Sequence, residues 1–259
     1  MSGTDHSQAP EWTGPQPAFV LVEPQMGENI GAAARAMWNF GLDRMRLVNP
    51  RDGWPNQKAI AMSSGAGRVL DQVGLFGDTG AALADVNYVF ATTARNRDLT
   101  KPVMTPERAM EHTRELIAQG QNVAVLFGPE RAGLQNSDIV RANALISVPV
   151  NPAFASLNLA QCVLLTAYEW GRQTAETAPE VMEMAGTRMA ENIEVLKLFE
   201  RLEASLDAVD FFWPDAKSQS MRLNLQNLLS RMPLTDADVR TLHGVFRALS
   251  DKKPRPKGE

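Results

Sequence analysis

Five short runs in the first two thirds of the chain are apolar at nearly every position: AFVLV (18–22), MRLVN (45–49), NYVFATT (87–93), NVAVLF (122–127) and ALISVPV (144–150). A strand with one face in water alternates apolar and polar residues. Unbroken Val, Ile, Leu and Phe runs instead suit strands covered on both faces, as in a parallel sheet. Between them the apolar spacing shifts to three and four. NIGAAARAMWNFG (29–41), TPERAMEHTRELIAQG (105–120) and the stretch after NPAFA (151–155) read as helices, the last with Ala160, Val163, Leu164, Ala167 and Tyr168 on one apolar face. Thr105, Pro106 and Glu107 supply a cap, a first-turn proline and an acidic first turn, and Gly120 ends that helix. Such alternation predicts an α/β domain over 18–173 with a mainly parallel sheet.

After residue 173 the strand pattern stops. RQTAETAPE (172–180) has the composition of a linker, and 174–186 is expected to join two domains. AENIEVLKLFERLEASLDAV (190–209) is amphipathic, with Ile193, Leu196, Phe199, Leu202 and Leu206 in helical register. Further helices are predicted over 219–231 and from Thr235 onward. A small helical C-terminal extension is therefore expected over 187–250, with a flexible N-terminus over 1–17 and a disordered basic tail over 251–259.

Composition adds limits. Of 259 residues, 44% are hydrophobic and 22% charged, the balance of a soluble globular protein. No apolar run approaches the roughly 18 residues of a membrane-spanning helix, and the polar N-terminus lacks the basic and apolar regions of a secretory signal. The single cysteine, Cys162, excludes an internal disulfide, and His6, His112 and His243 are too scattered for a metal cluster. The expectation is a cytoplasmic protein with no membrane and no metal. A net charge of −4 conceals an asymmetry. Residues 172–216 hold four basic and ten acidic side chains, whereas 217–257 hold nine basic and three acidic ones, so the C-terminal portion is locally basic.

The common ligand motifs of α/β domains are missing. EPQMGENIG, after the first strand, does not fit a dinucleotide turn, and no Walker A loop or nucleophile elbow is present. Polar residues gather instead at three strand-to-helix junctions, where α/β proteins bind ligands. Asn29 opens a helix that carries Arg35 almost two turns in: a cap and a solvated charge, or two site residues. GPERAGL (128–134) holds Glu130 and Arg131 in a turn between Gly128 and Gly133, which allow unusual backbone angles: loop charges, or a ligand turn. SLN (156–158) sets Ser156 and Asn158 before the last helix of the domain, as caps or as ligand groups.

Together, NIGAAARAM, LFGPERAGL and VPVNPAFASLNLAQCVLLTAYEW resemble in order and spacing the three motifs of the TrmH-like SPOUT RNA 2′-O-ribose methyltransferases. The resemblance is strongest to the branch that modifies tRNA at position 32 of the anticodon loop. It covers residues 18 to about 172, with Cys162 standing where the family more often has alanine. It implies a fold that pattern alone does not suggest, a parallel sheet whose C-terminal part forms a deep trefoil knot rather than an open flavodoxin-like sheet. It further implies a homodimer in which two subunits complete each site, a tRNA substrate, and S-adenosylmethionine (SAM) as cofactor. SAM is implied at Thr92, Thr93 and Ala94, at Gly128, around Val148 and Pro149, and at Ser156, Leu157 and Asn158. A cofactor without phosphate accounts for the missing phosphate loop.

The same resemblance assigns Arg35 to the acceptor ribose, Asn29 to fixing its loop, Glu130 to orienting Arg35 from its own or the other subunit, and Ser156 and Asn158 to positioning the hydroxyl or the cofactor's amino-acid end. Arginine is effectively never deprotonated, so the role expected of Arg35 is electrostatic: it grips the target phosphate and stabilises a developing alkoxide. Arg95, Arg97 and Lys101, with the basic residues from Lys217 onward, are the expected RNA contacts. Two alternatives stay open, an rRNA ribose methyltransferase of the same family and a catalytically idle RNA-binding module.

Overall fold

β1 (Ala18–Val22) is buried at all five positions, as its unbroken apolar run predicts, and lies inside a seven-stranded sheet. It belongs to a computed structural model that describes residues 14–94, 100–175 and 180–250. The chain forms two compact units, Met1–Thr177 and Ala178–Glu259. In the first, β1 is followed by α1 (Gly27–Asn39), β2 (Met45–Val48), α2 (Gln57–Ser63), α3 (Gly67–Asp71), β3 (Gly74–Phe76), α4 (Thr79–Ala82) and β4 (Tyr88–Thr92). Then come β5 (Val103–Met104), α5 (Pro106–Ala118), β6 (Val123–Phe127), α6 (Asn136–Ile139), β7 (Ala144–Ile146) and α7 (Leu159–Arg172).

The strand order is β3-β2-β1-β6-β4-β7-β5, and every neighbouring pair is parallel. β6 lies between β1 and β4, and β7 between β4 and β5, so the order departs from that of an open flavodoxin-like sheet. Successive side chains point to opposite faces. Phe19, Leu21, Phe90, Val125 and Phe127 pack with Met37 of α1, Met110 of α5 and Val163 of α7. Val20, Val22, Val48, Ala91 and Leu126 pack with Leu134 and Ile139 on the other face.

Two strands carry no apolar run, and both are edges. β3 and β5 close the two ends of the sheet, with Leu75 and Val103 exposed, so neither needs burial on both sides. The run expected to be strand through residue 150 leaves the sheet after Ile146: Ser147 N–H still bonds to Met104 O at 2.9 Å, but Pro149 and Pro152 have no N–H to extend a ladder. α7 buries Leu159, Val163, Thr166, Ala167 and Trp170, whereas Leu164 and Tyr168, expected on the inner face, are exposed. Its end is held by Arg114 of α5, whose guanidinium lies 3.7 Å over the Trp170 ring and donates to the Trp170 carbonyl.

The second unit contains α8 (Asn192–Asp207), α9 (Asp215–Ser230) and α10 (Asp236–Ser250). α9 starts earlier than its apolar pattern predicts, directly after Pro214 at its N-cap. Of the stripe expected on α8, Phe199 is buried but Ile193 and Leu196 are exposed, and Leu198 is buried beside Phe199 instead. No helix among the described residues is long and apolar enough to cross a membrane.

Candidate active site

The carboxyl ends of β4, β6 and β7 and the loop before α7 enclose a cavity of about 250 Å³. The turn after β6 has little freedom. A Cβ on Gly128 would lie 2.2 Å from the Leu134 nitrogen and 2.5 Å from the Gly133 carbonyl carbon, so only glycine fits. Gly133, at φ 65°, occupies the left-handed region that glycine enters without strain, and its N–H closes the turn on Pro129 O at 2.9 Å. At the next strand end, Thr92 Oγ1 donates to Leu126 O at 2.9 Å and the Thr93 N–H to Ile146 O at 3.0 Å, tying β4 to its neighbours beside the cavity.

Three residues from three distant segments form one hydrogen-bonded chain. Asn29 Nδ2 donates to Glu130 Oε1 at 2.8 Å, and the Gln25 backbone N–H donates to Glu130 Oε2 at 2.8 Å. Asn158 Nδ2 donates to Asn29 Oδ1 at 3.0 Å, while Asn158 Oδ1 caps α7 by accepting the N–H groups of Ala160 (2.9 Å) and Gln161 (3.3 Å). Asn29 does not cap α1, whose N-cap is Met26; its buried amide bridges Glu130 and Asn158. Glu130 holds Asn29 and Gln25, and within one chain it makes no ion pair with Arg35. Asn158 caps its helix and braces Asn29 with the two ends of one amide, so capping is half of what it does.

Among the residues that the resemblance assigned to SAM, Thr92, Thr93, Ala94, Gly128, Val148, Ser156 and Leu157 line the cavity; Pro149 and Asn158 do not. Ser156 is exposed, and no hydrogen bond occupies its hydroxyl among the described residues. Cys162 also lines the cavity, with its thiol pushed up to about 11 by burial, against a smaller opposing contribution from the Thr92 hydroxyl. Such a thiol stays protonated at neutral pH and acts as a small apolar surface.

Arg35 is exposed on α1, unpaired among the described residues, and does not line the cavity of its own chain. Lys101 donates to the carbonyls of Val140 and Ala142 beyond α6, which ties two loops together. Arg95 and Arg97 lie outside the described residues, as does the basic tail over 251–259. In the second unit Arg222 is paired with Glu203 and Asp207, and Arg240 with Asp236; residues 180–250 hold eleven acidic and eight basic side chains. Over 217–250 alone the count is five basic to two acidic, so the acidic excess lies in 180–216. The sequence had marked Arg131 only as a turn charge, yet it lines the cavity beside Glu130.

This arrangement can hold a mid-sized organic ligand: the ends of three strands offer main-chain polar groups, Ser156 and two threonines offer hydroxyls, and Ile146, Val148, Leu157 and Leu159 offer apolar walls. No group of acidic, histidine and cysteine side chains suited to a metal ion occurs among the described residues.

The SpoU rRNA Methylase family profile matches residues 16–168. The chain is 32% identical over 235 residues to the tRNA (cytidine/uridine/adenosine-2′-O-)-methyltransferase TrmJ of Pseudomonas aeruginosa strain UCBPP-PA14, covering 88% of this chain and 91% of that protein. It is 33% identical over 245 residues to the tRNA (cytidine/uridine-2′-O-)-methyltransferase TrmJ of Yersinia pestis strain Pestoides F, covering 92% and 93%. Among solved structures it is similar to TrmJ from Z. mobilis ZM4, at 46% identity and a TM-score of 0.81 over 91% of this chain and 100% of that one.

Proposed function

The chain belongs to the SpoU methylase family, and from that membership we propose that it methylates the ribose 2′-hydroxyl of cytidine or uridine in tRNA, at position 32 of the anticodon loop, with SAM as methyl donor. The observation that carries this reading is the cavity at the ends of β4, β6 and β7, whose walls come from the second and third motif segments and from Thr92–Ala94, and whose turn is fastened to the first motif by the Glu130–Asn29–Asn158 chain. Its donors suit SAM. Hydroxyls, main-chain groups and aliphatic walls match a ribose, an amino-acid end and an adenine, and among the described residues the lining has no cluster of cations of the kind a pyrophosphate calls for.

When bound, SAM supplies a methyl group activated by a positively charged sulfur. The chain's own residues must then align and charge-stabilise the acceptor. Ser156, exposed at the cavity wall with an uncommitted hydroxyl, positions either the ribose hydroxyl or the amino-acid end of the cofactor. Arg35 stabilises negative charge developing on the ribose oxygen and grips a flanking phosphate through its planar fork. Because Arg35 stands off its own cavity, it serves the cavity of a second copy, and the enzyme works as a homodimer. The exposed apolar residues Leu164, Leu165 and Tyr168 on α7 fit such a contact. The knotted backbone of the family, and a cytoplasmic location alongside its tRNA substrate, belong to the same proposal.

The test is incubation of the protein with labelled SAM and unmodified tRNA or rRNA, followed by mass spectrometric mapping of 2′-O-methyl groups. Methyl transfer to position 32 of tRNA is the expected result. Transfer to rRNA alone would name the other substrate class, and SAM binding with no transfer to either RNA would leave an idle module.

A further inference from the structure

Among the described residues that line the cavity, Arg131 is the one cation. It is exposed, and no hydrogen bond or ion pair engages its guanidinium among the described residues. Its acidic neighbour is turned to other partners: the two Glu130 oxygens accept N–H groups from Asn29 and from Gln25. The backbone beneath it is held twice over, by the Gly133-to-Pro129 hydrogen bond and by Gly128 packed against Leu134. Arg131 is thus a free guanidinium on a fixed base at the wall of the site. A ribose brought to that site carries a phosphate on each side, and a guanidinium fork matches two phosphate oxygens. Arg35, by contrast, stands away from the cavity of its own chain.

We propose that Arg131 binds a backbone phosphate of the RNA next to the ribose being methylated, so that each chain contributes this cation to its own cavity. This rests on the proposed function, since it takes RNA to be the substrate. The other anion of similar chemistry within reach is the carboxylate of the cofactor's amino-acid end, and the test separates the two. Dissociation constants of the full-length wild type, R131A and R131K are measured for tRNA across a range of salt and, separately, for SAM. R131A should weaken tRNA binding by about tenfold and make the salt dependence shallower by about one unit of slope. R131K, which keeps the charge but not the fork, should recover part of the loss, and SAM affinity should equal that of the wild type in both variants. A parallel loss of SAM affinity in R131A would assign the guanidinium to the cofactor's carboxylate and overturn the proposal. Unchanged tRNA affinity and slope would overturn it equally. If the wild type binds tRNA without methylating it, the proposed function fails while the R131A comparison still decides the phosphate contact. If the wild type binds no tRNA, both readings fall.

Discussion

In the α/β unit β1, β6 and β7 are buried at every position and β2 and β4 at three each, and two apolar clusters fill the two faces of the sheet. In the helical unit five apolar side chains are buried among the described residues, namely Leu198, Phe199, Phe212, Leu229 and Val239. Ile193, Phe211, Trp213, Leu223 and Leu249 remain exposed there. The first unit is organised by its core, and polar groups at the strand ends can be held in fixed positions because the strands beneath them cannot shift. The second has fewer buried side chains and carries charge pairs along its surface: Arg222 donates to Glu203 and Asp207 while lying 4.1 Å over the Phe212 ring, and Arg188 grips Glu194 with two hydrogen bonds of 2.9 Å. A change to the cavity turn should therefore act through rigid backbone and cost much. A change to a helical charge pair should act through a contact that water already weakens.

The sharpest way to break that contrast is at Gly128. A methyl group there meets main-chain atoms of Leu134 and Gly133, and backbone cannot swing aside as a side chain can. Gly128→Ala should lower stability by about 2 to 3 kcal/mol and abolish SAM binding, as read by thermal unfolding and calorimetric titration. Wild-type values for both would show that the turn is softer than its packing implies. The next largest effect belongs to Asn29. Asn29→Ala leaves one Glu130 oxygen without its donor and the Asn158 amide without its acceptor, at a cost of about 1 to 2 kcal/mol. Methylation should fall by about tenfold as the three segments lose their common register, measured with saturating SAM. A stability loss with full activity would make the chain a structural brace only.

These two residues also mark where the sequence is legible and where it is not. The inner strands could be read because burial on both faces leaves continuous apolar runs, and the edge strands β3 and β5 could not because they need none. The glycines around Glu130 signalled a special turn because their requirement is local. The partners of Asn29 left no such trace. Glu130 and Asn158 lie 101 and 129 residues away, so no spacing connects them. The anchoring of Lys101 left no trace for a related reason: its acceptors are main-chain carbonyls, which every residue carries. Arg35 could be assigned from resemblance, but that it stands off its own cavity depends on how α1 is rotated against the sheet. Apolar periodicity fixes that rotation only to within one face, as the shifted stripe on α7 also shows.

The smallest effect is expected in the helical unit, at Glu194. Arg188 first, and then the Glu191 N–H that closes the capping box of α8, hold the Glu194 carboxyl down to about 2 from an ordinary 4.5. A carboxyl whose pKa is lower in the folded state favours folding above its unfolded value and loses that contribution as protons arrive. The first turn of α8 should therefore loosen as pH falls from about 4.5 toward 2. Hydrogen exchange of peptides from α8, corrected for intrinsic rates, should show protection falling over that range, with peptides from β6 as the internal reference. Glu194→Gln should remove the pH dependence and lower α8 protection modestly at neutral pH. The loss should shrink further in high salt, because the pair is exposed and ions screen it. If α8 keeps full protection down to pH 2, or if the glutamine variant exchanges like the wild type at neutral pH, the charge pairs contribute nothing. The few buried side chains around Phe199 would then hold the helical unit alone, and the two units would differ in the size of their cores but not in what stabilises them.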